Sequence, residues 1–174
     1  MVTPGNFKIG GGFQENKCKY FTSEYPSDYI LHPGDLVVTM TDLSKQADTL
    51  GYGAIVPDTS ERVYLHNQRI GLVKFINESL DPIYVYWYLR SYEYHMRIVG
   101  TSTGSTVKHT SPGRILEQKI PIPSIEDNDN INSLKGITTM ISVNNAENVK
   151  LSQVRDLLIP QLLSGKLDVS EVNL

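Results

Sequence analysis

The last quarter of the chain restricts the fold most. From about Asp127 apolar residues recur at helical spacing for roughly 38 residues and end in Leu162-Leu163-Ser164-Gly165-Lys166-Leu167. In heptad register the a positions are Leu134, Ile141, Asn148, Arg155 and Leu162, and the d positions are Ile137, Asn144, Leu151 and Leu158. The ends are apolar and the middle is polar, the pattern of a coiled coil whose centre sets the register. Length and pattern predict one helix rather than a hairpin broken near Ser142–Asn145. At about 1.5 Å per residue it reaches roughly 57 Å. Gly136 is a tolerable weak point, and Pro160, without an N–H, bends the last turns. A helix this long cannot bury its apolar seam against itself, so the chain reads as one part of an assembly.

The 120 residues ahead of it suit one ordinary domain. One cysteine, Cys18, excludes an internal disulfide and any multi-cysteine zinc site, and the four histidines match no metal-ligand spacing. There is no signal peptide and no membrane-length apolar run, which makes the cytoplasm the default compartment. Net charge is −3, which alone argues against a nucleic-acid partner. The distribution changes that reading. Residues 1–120 balance 12 Lys/Arg against 12 Asp/Glu, and the deficit lies beyond residue 120. Between Tyr84 and Arg114 the basic residues Arg90, Arg97, Lys108 and Arg114 face one acid, Glu93. Affinity for DNA depends on local charge facing the phosphates, not on the total.

The first 33 residues read as irregular loop with short strands. Asp35–Thr41 is a buried strand behind Pro33-Gly34, and Asp42 to Gly51 is a polar loop. Short strands are expected at Gly53–Val56, Val63–Leu65 and Ile70–Ile76, in a twisted, mostly antiparallel sheet. Asp81-Pro82 opens a helix, a capping carboxylate ahead of a proline whose missing N–H costs nothing there. It should run to Gly100 with Val85, Leu89, Tyr92, Met96 and Val99 on one face. Thr101–Pro112 is a Ser/Thr/Gly loop, and Ile115–Ile122 is expected as an edge strand held there by Pro121 and Pro123. The fold class is therefore α+β: one domain over 1–124 with a curved, mostly antiparallel sheet and packed helices, a long coiled-coil-forming helix over 125–168, and a flexible tail over 169–174.

Four segments in order carry a family resemblance: Gly34-Asp35-Leu36-Val37-Val38; Leu65-His66-Asn67-Gln68-Arg69-Ile70-Gly71; Thr103-Gly104-Ser105-Thr106 followed by Ile120-Pro121-Ile122-Pro123; and Leu162-Leu163-Ser164-Gly165-Lys166. Together they resemble the specificity subunit of type I restriction–modification enzymes. The resemblance implies a reader of double-stranded DNA without chemistry or cofactor of its own, which directs methyltransferase and restriction subunits. Such subunits usually carry two recognition domains and two helices. This sequence shows one of each with no internal repeat, so the resemblance implies a half-length or truncated version.

It also directs attention to particular residues. In the loop Thr41–Tyr52, the side chains of Thr41, Asp42, Ser44, Gln46, Thr49 and Tyr52 are candidates for base edges, and Lys45 for a phosphate. In Thr101–His109, the small residues Thr103, Ser105 and Thr106 let backbone N–H groups near a phosphate, beside Lys108 and His109. Arg97 and Arg114 flank that loop, and Lys8 and Arg69 complete the DNA-binding set. Asn67-Gln68-Arg69 has base-reading chemistry but belongs to a recurring family segment, which favours a structural or phosphate-positioning role. The tyrosines around Trp87 could stack bases, yet at helical spacing packing on a sheet is the better reading.

An enzyme is disfavoured. Pro57-Asp58 and Glu117-Gln118-Lys119 echo a metal-dependent nuclease signature only at long separation, and no Walker loop is present. The other reading left open is a scaffold that binds methyltransferase or specificity subunits without reading DNA. For assembly, two copies can lay their helices antiparallel through Leu134, Ile137, Ile141, Leu151, Leu158 and Leu162, with Asn144 and Asn148 near the centre. Pairing with a different specificity chain is the alternative.

Overall fold

The computed structural model describes residues 1–58, 62–76, 80–124 and 127–167. The chain divides into two compact units, Met1–Leu134 and Lys135–Leu174.

The first unit is built on β2, Leu36–Thr39, which pairs antiparallel with β4, Gly53–Ile55, on one side and β6, Ile70–Leu72, on the other. The run Leu36-Val37-Val38 is apolar without alternation because both faces of this strand are covered. Val37 joins Val2, Phe7, Leu31, Ala54, Val56, Tyr64 and Ile70 in one cluster. Its neighbour Leu36 points the other way, into a cluster with Ala47, Leu50, Val85, Tyr86, Leu89, Tyr94 and Ile98.

Two further pairs flank this sheet: β1, Ile30–Leu31, with β5, Tyr64–Leu65, and β3, Thr41–Asp42, with β7, Lys108–His109, both antiparallel. The expected curved sheet is thus three small antiparallel sheets among the described residues. Before Ile30 the chain makes short 3-10 turns at Pro4–Asn6, Glu15–Lys17 and Ser27–Tyr29, and Phe7 bridges to Phe13.

The helix expected over 81–100 is two helices. Asp81 caps α1, Pro82–Tyr88, by accepting from the Ile83 N–H at 2.8 Å. Ser91 then caps a second helix, α2, Tyr92–Gly100, by accepting from the Tyr94 N–H. The break shifts the helical register, so the buried residues of α2 are Tyr94, His95 and Ile98, while Tyr92 and Met96, expected on the buried face, are 73% and 44% exposed.

The edge strand expected at Ile115–Ile122 is also corrected. Ser111-Pro112 starts a short helix, α3, Pro112–Leu116, with Ser111 accepting from the Arg114 N–H, and the chain beyond it joins no strand among the described residues. It is fastened instead by side chains of α1. Tyr84 donates to the Pro121 carbonyl at 2.8 Å, and Tyr88, one turn on, donates to that of Lys119 at 2.9 Å.

The long helix, α4, is continuous from Asn128 to Leu163 and contains Pro160. It is a single helix, not a hairpin, about 54 Å long for its 36 residues. Ser124 and Asp127 tie its approach: the Asp127 carboxylate accepts from the Ser124 N–H and hydroxyl at 2.8 and 2.9 Å. Those bonds hold the Asp127 carboxyl below its ordinary pKa. The tail assigned to 169–174 lies outside the described residues.

Candidate nucleic-acid interface

At Met40 the chain changes partners. Thr39 still faces Ile70 across β2 and β6, and the Met40 N–H donates to the Arg69 carbonyl at 2.8 Å. The Met40 carbonyl accepts from the Thr110 N–H at 3.0 Å, and the next two residues pair with β7, Thr41 opposite His109 and Asp42 opposite Lys108. The kink is held internally by the Thr39 hydroxyl, which donates to the Thr41 carbonyl at 2.9 Å. Three segments far apart in sequence therefore meet here: the loop after Thr41, the turn carrying Arg69, and the hairpin around Lys108.

The loop after Thr41 is tied by one carboxylate. Asp42, 4% exposed, accepts from the Ser44 N–H at 2.6 Å through Oδ1, and from both the N–H and the hydroxyl of Thr49 through Oδ2. Burial works against its charge, but the hydrogen bonds from Ser44 and Thr49 together outweigh it and hold the carboxyl below its usual pKa. Ser44 Oγ accepts from the Asp48 N–H at 2.9 Å, and Ala47, in the left-handed region at φ 58°, plugs the core. The far end is pinned by α2. His95 Nδ1 donates to the Leu50 carbonyl at 2.9 Å, while its ring stacks on Tyr52 at 4.3 Å and 6°.

The hairpin on the other side is closed by reciprocal backbone bonds between Thr103 and His109, at 2.9 and 2.8 Å. Gly104 turns it at φ 95°, where a Cβ would fall 2.0 Å from the Val107 carbonyl oxygen, so no other residue fits this conformation. Arg114 donates to the Thr101 carbonyl and anchors the base of the hairpin.

Within the first unit the candidate residues separate into groups. Lys45 and Gln46 are exposed on the tied loop, Arg69 is exposed on the adjoining turn, and His109 and half-buried Lys108 lie on β7. Thr103, Ser105 and Thr106 are exposed on the hairpin. Thr41 and Tyr52 are each 5% exposed and support the loop from below. The Thr49 hydroxyl is committed to Asp42, and half-buried Ser44 uses its N–H and its Oγ within the loop. Arg97 is occupied on α2: it pairs with Glu93 at 3.5 Å and donates to the Tyr88 hydroxyl at 2.8 Å. Lys8 is exposed in the turn between Phe7 and Phe13. Sequence reasoning placed Asp42 among the side chains facing base edges, whereas both its oxygens are engaged within the loop, and it assigned no role to His95. An Asp two residues ahead of a Ser signals an Asx turn, but nothing local marks His95, whose partners lie 43 and 45 residues away.

In the second unit the exposed seam residues include Ile137, Ile141, Leu151 and Leu162, with Leu158 half-buried; Asn144 and Asn148 are exposed as well. Leu134, at the end of the first unit, is half-buried. Met140, Val143, Val154 and Leu157 are exposed too, on a flank next to the d positions. The apolar surface is therefore wider than one coiled-coil seam. Among the described residues no helix is long and apolar enough to cross a membrane.

Comparison with known proteins agrees with this architecture. Over 155 residues, 88% of its length, the chain is 24% identical to the type I restriction enzyme MjaVIII specificity subunit of Methanocaldococcus jannaschii. It spans about a third of that relative, 35%. Residues 5–153 match the family described as the type I restriction modification DNA specificity domain. A match over most of the chain, from the first turns through the greater part of α4, identifies it as a member of the type I restriction modification DNA specificity family.

Proposed function

We propose that the chain recognises a specific sequence in double-stranded DNA, acts in the cytoplasm, and directs methyltransferase and restriction subunits to it without chemistry of its own. The observation that carries this reading is the β3–β7 pairing, which joins the two candidate loops into one surface. Lys45, Arg69 and Lys108 supply cations there, while Gln46, His109 and the hydroxyls of Thr103, Ser105 and Thr106 supply donors and acceptors suited to base edges and phosphates. The charge is modest, so affinity is salt-sensitive and specificity depends on loop shape as much as on charge.

The partner of α4 in this reading is a second copy. Antiparallel helices put two recognition units at opposite ends, and the two-fold symmetry implies inverted half-sites around an unread spacer. Apolar side chains beyond the a and d positions leave surface for the methyltransferase subunit.

Binding to a labelled duplex across a salt series tests the DNA assignment. Replacing Lys45, Arg69 and Lys108 together by Ala is expected to weaken binding to all duplexes and to lower the salt slope by roughly 0.9 for each phosphate that is no longer neutralised. An unchanged slope places the DNA on another face.

A further inference from the structure

We propose that Asp42 is the positioning residue for base readout: its carboxylate presets the loop between Leu43 and Thr49, so that Lys45 and Gln46 meet DNA from one fixed conformation. The inference rests on the DNA reading above and adds a residue that does not itself touch DNA. Both oxygens of Asp42 are engaged within the protein, Oδ1 by the Ser44 N–H and Oδ2 by the N–H and hydroxyl of Thr49. They are therefore committed before any ligand arrives.

The bonds span the loop from its second residue to its end, and the enclosed turn is closed again by the Asp48 N–H on Ser44 Oγ and the Ala47 N–H on the Ser44 carbonyl. The Asp42 backbone is the partner of Lys108 in β7, so the same residue ties loop and hairpin together. Long side chains on a loose loop lose freedom on binding and can adapt to wrong bases. On a preset loop that ordering cost is removed and mismatches are left with unmet donors and acceptors.

Asparagine at this position has the same shape but replaces one acceptor oxygen with a donor, so an N–H of Ser44 or Thr49 faces another N–H. Thr49→Val removes one donor and leaves the carboxylate. Each variant is compared with the wild-type chain in selection from a randomised duplex pool, followed by titration of the enriched duplex and a scrambled one. Backbone amide exchange over residues 43–50 is followed in parallel.

Asp42→Asn is expected to lose roughly tenfold in the ratio of enriched to scrambled affinity. Affinity for the scrambled duplex and its salt slope should stay at wild-type values, and the amides of 43–50 should exchange faster. Thr49→Val should lie between, and it carries the test if Asp42→Asn does not fold. A folded variant that enriches the wild-type sequence with undiminished discrimination overturns the role of Asp42 and leaves DNA recognition standing. A wild-type chain that enriches no sequence overturns the DNA reading, and with it the readout role of Asp42.

Discussion

Two residues fix the shape of the proposed interface, and each predicts a measurable cost. Gly104→Ala forces a side chain into a positive-φ position against the Val107 carbonyl. Strain of this kind costs about 1–3 kcal/mol, which urea unfolding of the first unit should register. Asp42 predicts a pH dependence. Its folded pKa is lowered, so its contribution is complete above the unfolded carboxylate value of about 3.9 and is lost as pH falls through the folded value. Asp42→Asn should therefore cost about 2 kcal/mol at pH 7, the scale of hydrogen bonds to a charged group. The gap to wild type should close as the pH falls below about 4. A gap that persists at low pH would show that the carboxylate charge is not what holds the loop.

At the scale of elements, the joints separate what the sequence shows from what it hides. Asp81-Pro82 announces α1 because a cap acts locally, and the sheet strands are legible where β-branched residues stand between turn residues. The break between α1 and α2 was hidden because Val85, Leu89, Tyr92 and Met96 keep helical spacing across it. The structure instead favours Ser91 as a second cap and turns Arg90 back, its guanidinium 4.5 Å from the Trp87 ring and its Nε donating to Gly10 at 2.9 Å. The Ile115–Ile122 segment reads as a strand because its apolar residues run up to Pro121, yet Ile115 and Leu116 end α3 and the residues after them pair with no strand among the described residues. Its partners are two tyrosine hydroxyls, which no strand pattern encodes. Tyr84→Phe with Tyr88→Phe should cost about 1 kcal/mol for each hydrogen bond removed in unfolding of the first unit, while far-UV circular dichroism stays unchanged. The candidate interface was legible as two loops, but their union through Thr41 and His109 was not, because their pairing spans 68 residues.

At the scale of the whole molecule, assembly is proposed to run through α4. Leu151 is 58% exposed and lies on the same seam as half-buried Leu158. Apolar surface left in water is unfavourable at about 25 cal/mol per Å². Leu151→Asp with Leu158→Asp should turn a dimer into a monomer in sedimentation equilibrium and leave the first unit folded; a wild-type chain that is monomeric at tens of micromolar would contradict pairing of two copies. Recognition is the central claim, and sequencing of methylated DNA after co-expression with a methyltransferase subunit tests it most directly. Exchanging residues 41–52 together with 101–109 for those of another specificity chain should change the methylated sequence while the spacing between half-sites, set by α4, stays the same. Methylation of the original sequence after both exchanges would contradict the account.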